Sequence, residues 1–502
     1  MLFVSLSLMP LQNVLSSIVS RLSLRYAIRT SVLSRQWKHL WCDHPNLRFH
    51  LYMLERRRSR GSAPVTEHDL IALVNRVLQQ HSGTGIDLLK VSCALHSEHP
   101  HHIDRWVKFA IVSKAERLVL RLSKYTKAYL SAIGCPAGRP ERYSFPCHIF
   151  GASKDDGSYL RCLQLSSVSL NLPAQGFNGF PNLTKLTMLD VKITDEHLEC
   201  LLSKCSLLEF LGIACCRTLT TLRAICPLNR LKHLKLQDCR SVKHIEMNCG
   251  LITLEYSGPM IPLQFATTSS LRNVHINLFD INSTLRIFRR LSMSSDNIAA
   301  LDYITTGFPS TLQHLETLKL SNDEYKRTTS PVRLVDFIYL RHLRLELNIF
   351  GGWETDALDY AYLLDCAPSL EKLELHMWMQ QCGHVPYREE HGELRSLPWH
   401  PHTHLKSIHI TGFFGHKDQV ELALHILRCS TMLEAMKIDC RVTIMPEDNH
   451  SVIYKTREYL DGYLVATAFV QAADQNNVVE VLGARKVFFT ATDGSERFYF
   501  VS

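Results

Sequence analysis

Residues 208–239 read LEFLGIACCRTLTTLRAICPLNRLKHLKLQDC, and the phrase L-x-x-L-x-L that begins and nearly ends them decides the fold. It stands as Leu208, Leu211 and Ile213, and 23 residues later as Leu231, Leu234 and Leu236. In the second copy His233 and Lys235 alternate with Leu234 and Leu236, the two-residue period of a strand whose successive side chains face opposite ways. The first leucine, and the apolar residue three beyond the phrase (Cys216 or Cys239), turn the chain around the same core. One copy cannot bury its own leucines, whereas a stack of copies builds a continuous core with parallel strands along one face.

The phrase recurs on both sides at Leu160, Leu163 and Leu165; Leu183, Leu186 and Met188; Leu251, Leu254 and Tyr256; and Leu271, Val274 and Ile276. Later copies follow at Leu315, Leu340, Leu370, Leu405 and Leu433, and weaker wording precedes them at Ile86 and Leu89 and at Ala115, Leu118 and Leu120. Spacings of 20 to 25 residues between the first six copies are leucine-rich-repeat length, and so many copies exclude an ordinary α/β domain. Residues 125–158, rich in Gly, Pro, Lys and Asp, read as an inserted loop, and a degenerate repeat is expected around Ile298, Leu301 and Tyr303. Residues 402–439 read as strand, helix, strand, with the helix over Val420 to Cys429 and the strands at Leu405 to Ile410 and Leu433 to Ile438. Short strands are expected at Val478 to Leu482 and Val487 to Thr490, with Asp493 and Gly494 as a hairpin turn before Phe498 and Phe500.

Ahead of the repeats, residues 11–41 carry a different period. Val14, Leu15, Ile18, Val19 and Leu22 lie on one helical face, and Trp37, Leu40 and Trp41 are expected on a later helix capped by Ser34, with Arg35 and Lys38 on its wet side. A module of about forty residues can seldom bury this much aliphatic and indole surface alone, so part of it is expected to be an interface.

The stretch Arg29 to Trp41, RTSVLSRQWKHLW, followed by Pro45, Asn46, Leu47 and Phe49, resembles the F-box, the segment by which substrate receptors dock onto the Skp-family adaptor of SCF-type ubiquitin ligases. At the front, Met9 to Leu15 differs from the family wording. Gly412, Phe413, Gly415 and Glu421 to Arg428 resemble the FBD domain of plant F-box proteins with leucine-rich repeats. The resemblance implies an α/β chain with an N-terminal three-helix F-box followed by a leucine-rich-repeat solenoid with a curved parallel sheet. The expected division is 9–50 for the F-box, 51–84 for a basic linker and helical connection, 85–365 for the repeats, 366–440 for the FBD domain and terminal repeats, and 441–502 for a C-terminal tail. It implies a Skp-family adaptor, a cullin held through it and an unknown target protein as partners. The adaptor contacts carried over are Pro10, Leu15, Ile18, Leu22, Val32, Trp37, Leu40 and Trp41.

Charge is uneven. Residues 1–60 hold ten Lys or Arg against Asp43 and Glu55, a net +8 equal to that of the whole chain, and the other 442 residues are formally neutral. Such a segment attracts an acidic protein or nucleic acid. A nucleic-acid-binding or scaffold role is therefore the alternative, although Trp37 and Trp41 share the apolar face while Lys38 lies off it. The run Arg56 to Arg60 reads as a solvated linker. No catalytic wording is present, neither G-x-S-x-G, nor a phosphate-cradling G-x-x-x-x-G-K, nor H-E-x-x-H, so no enzyme and no cofactor are expected. The 16 cysteines are scattered without a C-x-x-C, and neither His99, His101 and His102 nor His400, His402 and His404 has a companion cluster of ligands, so no metal is expected. The opening MLFVSLSLMP lacks a basic n-region, and no apolar run reaches the roughly 18 to 20 residues that span a bilayer. Neither signal peptide nor membrane partner is expected, and the nucleus, the cytoplasm or both are the expected location.

Overall fold

The computed structural model describes residues 8–54, 66–95, 98–123, 141–151, 159–173, 177–224, 226–267, 270–278, 314–324, 337–350, 356–380, 385–441, 456–483, 485–490 and 496–501. The basic run Arg56 to Arg60, the expected repeat around Leu301 and the turn at Asp493 and Gly494 lie outside them. The chain forms two compact units, Met1–Leu251 with Ile261–Thr267, and Ile252–Met260 with Thr268–Ser502.

In the first unit, seven parallel strands stand in chain order: β1 Asn46–His50, β2 Leu88–Ser92, β3 Arg117–Arg121, β4 Cys162–Ser166, β5 Lys185–Leu189, β6 Phe210–Ala214 and β7 His233–Gln237. The leucines of the repeated phrase fall in register, Leu186 opposite Leu211 and Leu211 opposite Leu234, and all three are fully buried. Each is worth roughly 1.5–3 kcal/mol of apolar burial. Between them the chain turns at a left-handed residue placed directly after the strand: Ser167, Asp190, Cys215 and Asp238, with φ between 53° and 58°. A non-glycine residue pays about 1–2 kcal/mol for that conformation. The turn aims its N–H at the last carbonyl of the following strand, Ser167 to Leu189, Asp190 to Ala214 and Cys215 to Gln237, at 2.8–2.9 Å. A smaller parallel sheet of Thr221–Ala224, His244–Gly250 and Leu263–Thr267 covers another side of these repeats.

Helices fill the remaining turns. α1 Leu8–Arg21 and α2 Leu24–Arg29 precede β1, α3 Glu67–Gln80 and α4 Pro100–Val112 flank β2, and α5 Asp195–Ser203 follows β5. Thr66 starts α3 with a capping box, its Oγ1 accepting from Asp69 N while Asp69 Oδ2 accepts from Thr66 N at 2.9 Å. Leu70, Ile71, Val74, Val77 and Leu78 are the buried face of that helix. The stretch 141–151 is no loose insertion. Tyr143 OH donates to Asp104 Oδ1 at 2.5 Å, Phe145 and Phe150 are buried, and Tyr143–Ser144 pairs with Val168–Ser169.

The second unit continues the pattern with parallel strands β8 Thr253–Gly258, β9 Asn273–Leu278, β10 Thr317–Glu324, β11 His342–Phe350, β12 Lys372–Gln380, β13 Ser407–Thr411, β14 Ala435–Asp439 and β15 Val479–Leu482. α6 Tyr362–Cys366 precedes β12, α7 Lys417–Cys429 joins β13 to β14, and α8 Thr456–Val465 precedes β15. Thus the tail lengthens the sheet beyond β14, and Arg485–Thr490 with Glu496–Val501 forms the expected antiparallel pair. Gly412 has φ +68° after β13, and a Cβ there would meet the Met377 carbonyl oxygen at 1.8 Å. Buried Gln419 of α7 holds the same turn, its Oε1 accepting from Phe414 N at 2.9 Å and its Nε2 donating to Gly412 O at 3.0 Å.

Candidate protein-docking surfaces

The N-terminal module is built around the end of α1. Val19 of α1 and Leu24 and Ala27 of α2 are buried with Leu40 and Trp41. α2 stops at Arg29, where Thr30 Oγ1 and Ser31 Oγ donate to the carbonyls of Ala27 and Ile28 at 2.7 and 2.6 Å and satisfy its last turn. The expected third helix does not form. Residues 35–39 are turns, and a short 3-10 helix, Leu40–Asp43, begins at His39 with no side-chain cap from Ser34. Its length is limited because Pro45 already joins the sheet, its carbonyl accepting from Asp87 N and Leu88 N. Asn46 to His50, expected within the helical module, is in fact the first strand of the stack.

A polar pin that sequence reading missed fixes the module. His44 and His81 are both buried. His44 Nδ1 accepts from Asn46 N at 3.1 Å, so its Nε2–H donates to Leu22 O at 3.0 Å. His81 repeats the arrangement, Nδ1 accepting from Gly83 N and Nε2–H donating to His44 O at 3.1 Å. Burial lowers the pKa of His81, against the opposing effect of its bond to the His44 carbonyl. Two imidazoles thereby connect the end of α1, the start of β1 and the end of α3.

Of the adaptor contacts read from the sequence, Leu40 and Trp41 are each only 7% exposed and belong to the module's own core, a correction enforced by their packing against α1 and α2. Leu15, Leu22 and Trp37 are half-buried. Ile18 and Val32 are exposed, Val32 by 84%. Pro10 lies in α1, and its side chain is outside the described residues. Val14, Tyr26, Leu33 and Tyr52 add exposed apolar surface that was not expected at those positions as contacts. Val14 and Ile18 are one helical turn apart and share a face.

The second surface is the polar face of the repeat sheet in the second unit. In-register pairing lines up Lys319, Arg344, Glu374 and His409, and beside them Ser321, Glu346, His376 and Thr411. Glu346 accepts from Lys319 Nζ at 2.9 Å and from Arg344 at 2.8 Å. Glu374 accepts from Arg344 at 3.0 Å and, closer still, from Lys372, and His342 Nε2 lies 3.5 Å from it. Burial alone would raise both carboxyls, but bonds from Ser321 and Lys319 hold Glu346 at a pKa of about 2, and Lys372 with its neighbouring cations does the same for Glu374. His376 is pushed to about 4 by burial and then by Arg344. It bonds Thr411 Oγ1 through Nδ1 at 2.8 Å. Farther along, Arg395 binds Glu421, which is fully buried on α7, through Nε and the backbone N at 2.7 and 2.8 Å, and reaches Asp356 as well.

The equivalent face in the first unit is composed differently. Arg48 on β1 stands opposite Lys90 on β2, and Arg121 on β3 stands opposite Ser92, two residues beyond Lys90. Their neighbours Leu47, Phe49, Leu89, Val91, Leu120 and Leu122 are buried, so the three cations share the outer side. Among the described residues none of the three has an acidic partner. Lys185 lies 4.5 Å over the Phe210 ring, and Arg117 donates to Asn46 Oδ1 at 3.3 Å.

Among the described residues no group of three or more His, Cys, Asp or Glu is arranged to hold a metal, and no helix is long and apolar enough to cross a membrane.

A helical module fused to a stack of in-register, leucine-buried parallel strands defines a leucine-rich-repeat protein with an N-terminal helical segment. The family model described as the At1g61320/AtMIF1 LRR domain matches residues 77–464, and the chain belongs to that family. The F-box domain model matches residues 6–49, so the module is an F-box. Similar proteins include, from Arabidopsis thaliana, F-box/FBD/LRR-repeat protein At1g13570, 30% identical over 203 residues, or 40% of this chain and 42% of that one. F-box/LRR-repeat protein At3g03360 of the same plant is 26% identical over 410 residues, or 78% of this chain and 74% of its own. F-box protein At5g03100 is 27% identical over 235 residues, 47% of this chain and 60% of its own. The matched region thus spans less than half of the first of these relatives and three quarters of the second.

Proposed function

We propose that the chain is the substrate-receptor subunit of an SCF-type ubiquitin ligase, with the F-box holding a Skp-family adaptor and through it a cullin, and the repeat stack recruiting a target protein for ubiquitination. The observation that carries this reading is an F-box and a leucine-rich-repeat domain in one chain. Exposed Ile18 and Val32, with Val14 one helical turn before the first and Leu33 next to the second, supply apolar surface for the adaptor. No chemistry is asked of this chain; other subunits transfer ubiquitin, and the receptor raises the local concentration of target lysines. We further assign residues 366–440 to an FBD domain, a reading supported by the name of At1g13570 and by the Gly412 to Gln419 turn. The same role sets the chain in the nucleus, the cytoplasm or both.

The test is capture of the full chain by purified Skp-family adaptor. Ile18→Asp with Val32→Asp is expected to lower affinity about tenfold or more while leaving the melting temperature unchanged, because both side chains are exposed. Trp41→Ala instead empties a core site and should cost about 3–5 kcal/mol of stability. If the native chain ignores the adaptor but binds nucleic acid with an affinity that falls steeply as salt rises, the receptor reading fails and the basic-segment alternative replaces it.

A further inference from the structure

We propose that the outer face of β1–β3 binds an anionic peptide segment, with Arg48, Lys90 and Arg121 as the residues that hold it. The inference rests on the receptor reading in one respect, that the segment belongs to a recruited target. Adjacent strands lie about 4.8 Å apart, so the three cations span roughly 10 Å across the sheet. Like charges at that spacing repel unless something neutralises them. On β10–β12 the chain supplies its own anions, Glu346 and Glu374; on β1–β3 the outward positions are Asn46, Arg48, His50, Leu88, Lys90, Ser92, Arg117, Val119 and Arg121, without one carboxylate. Repulsion is felt where the cations meet, since Lys90 is lowered from its usual pKa by burial and then by Arg121 and Arg48, and His50 by burial and then by Lys90 and Arg25. A bound anion relieves it.

The spacing favours a peptide. From the row of Arg48 and Lys90 to the row of Arg121 is a two-residue step, about 6.6 Å, which is also the distance between alternate side chains of an extended peptide. Alternating carboxylates or phosphoserines match that step. A nucleic acid strand wants a longer cationic track interleaved with aromatic rings for stacking, and His50 alone among the nine outward positions carries a ring.

The experiment measures fluorescence anisotropy of the full chain with labelled Gly-Ser peptides of one length whose alternate residues are serine, aspartate or phosphoserine, and with a single-stranded oligonucleotide. Binding of the aspartate or the phosphoserine peptide at least about tenfold above the serine peptide is expected, weakening with salt; which of the two binds identifies the source of the charge. Lys90→Gln with Arg121→Gln should lose about tenfold, Arg121→Gln alone should lose part of that, and Lys319→Gln in the paired face should lose nothing. Melting curves confirm folding of each variant. Equal binding of the serine peptide, undiminished binding by the double variant, or tighter binding of the oligonucleotide overturns the proposal. Adaptor capture is measured on the same samples: a native chain that binds peptide but not adaptor sinks the receptor reading alone, and one that captures adaptor but ignores anionic peptides sinks this proposal alone.

Discussion

Two sheet faces of the same repeat architecture handle charge in opposite ways. Under both lies the same aliphatic core: Leu47, Leu89 and Leu120 in the first unit, Leu320, Leu343 and Leu375 in the second, all essentially without exposure. Above the second core every cation on β10–β12 finds Glu346 or Glu374; above the first, Arg48, Lys90 and Arg121 have no carboxylate partner among the described residues. A self-satisfied network stiffens the fold and leaves little for a ligand to gain. An unsatisfied one costs stability and stores affinity.

The largest expected effect asks whether the cores really are alike. Leu47→Asp and Leu343→Asp each bury a carboxylate without a partner and should each destabilise their unit by more than about 4 kcal/mol. Chemical denaturation of the two variants checks this, and a loss confined to one of them would break the comparison at its base. Next, Glu374→Gln leaves Arg344, Lys372 and His342 facing an uncharged amide. About 3 kcal/mol should be lost, localised by hydrogen exchange to β11–β13, because breaking one side of a half-buried ion network strands the other.

Acid should separate the faces further. The folded pKa of His376, about 4, lies below the roughly 6.5 of an unfolded histidine, so its contribution is present above pH 6.5 and is lost as pH falls toward 4. Glu346 and Glu374, held near 2, add a second loss below the ordinary carboxylate range, from about pH 4.5 down to 2. Protection factors in β11–β13, which divide out the intrinsic slowing of amide exchange in acid, are expected to fall as pH drops from 7 to 5, and His376→Asn should flatten that first stage without touching the second. The smallest effect has the opposite sign: Lys90→Gln removes repulsion and should leave stability unchanged or raise it by about 0.5 kcal/mol in a thermal melt at low salt. A clear loss there would mean that Lys90 has a stabilising partner, and the contrast between the faces would narrow.

Repetition made most of the frame readable. The eleven phrases place strands wherever their residues are described, and the alternation of His233, Leu234, Lys235 and Leu236 gives the facing of each side chain correctly. The strand, helix and strand of 402–439 also stand as expected, with α7 ending at Cys429. The N-terminal module was less legible. Its helical period is plain over Val14 to Leu22, yet the indoles of Trp37 and Trp41 look equally available in sequence, and packing buries Trp41 while leaving Trp37 half-buried. Nothing local marks Asn46 to His50 as the founding strand of the sheet, because its partners, Leu88 to Ser92, are some forty residues away.

By itself, then, the sequence determined what short-range chemistry can determine: which residues are apolar, at what period, and therefore that strands stack and leucines point inward. Tertiary structure alone decided who stands beside whom. Whether Lys319 meets Glu346, or Arg48 meets Lys90, depends on register between strands separated by loops of unequal length, and so does the alignment of His44 with His81 and Leu22. A side chain's facing repeats every two residues and is written in its neighbours; its partner across the sheet is fixed only when the leucines of successive repeats have found one another and drawn the polar rows into line.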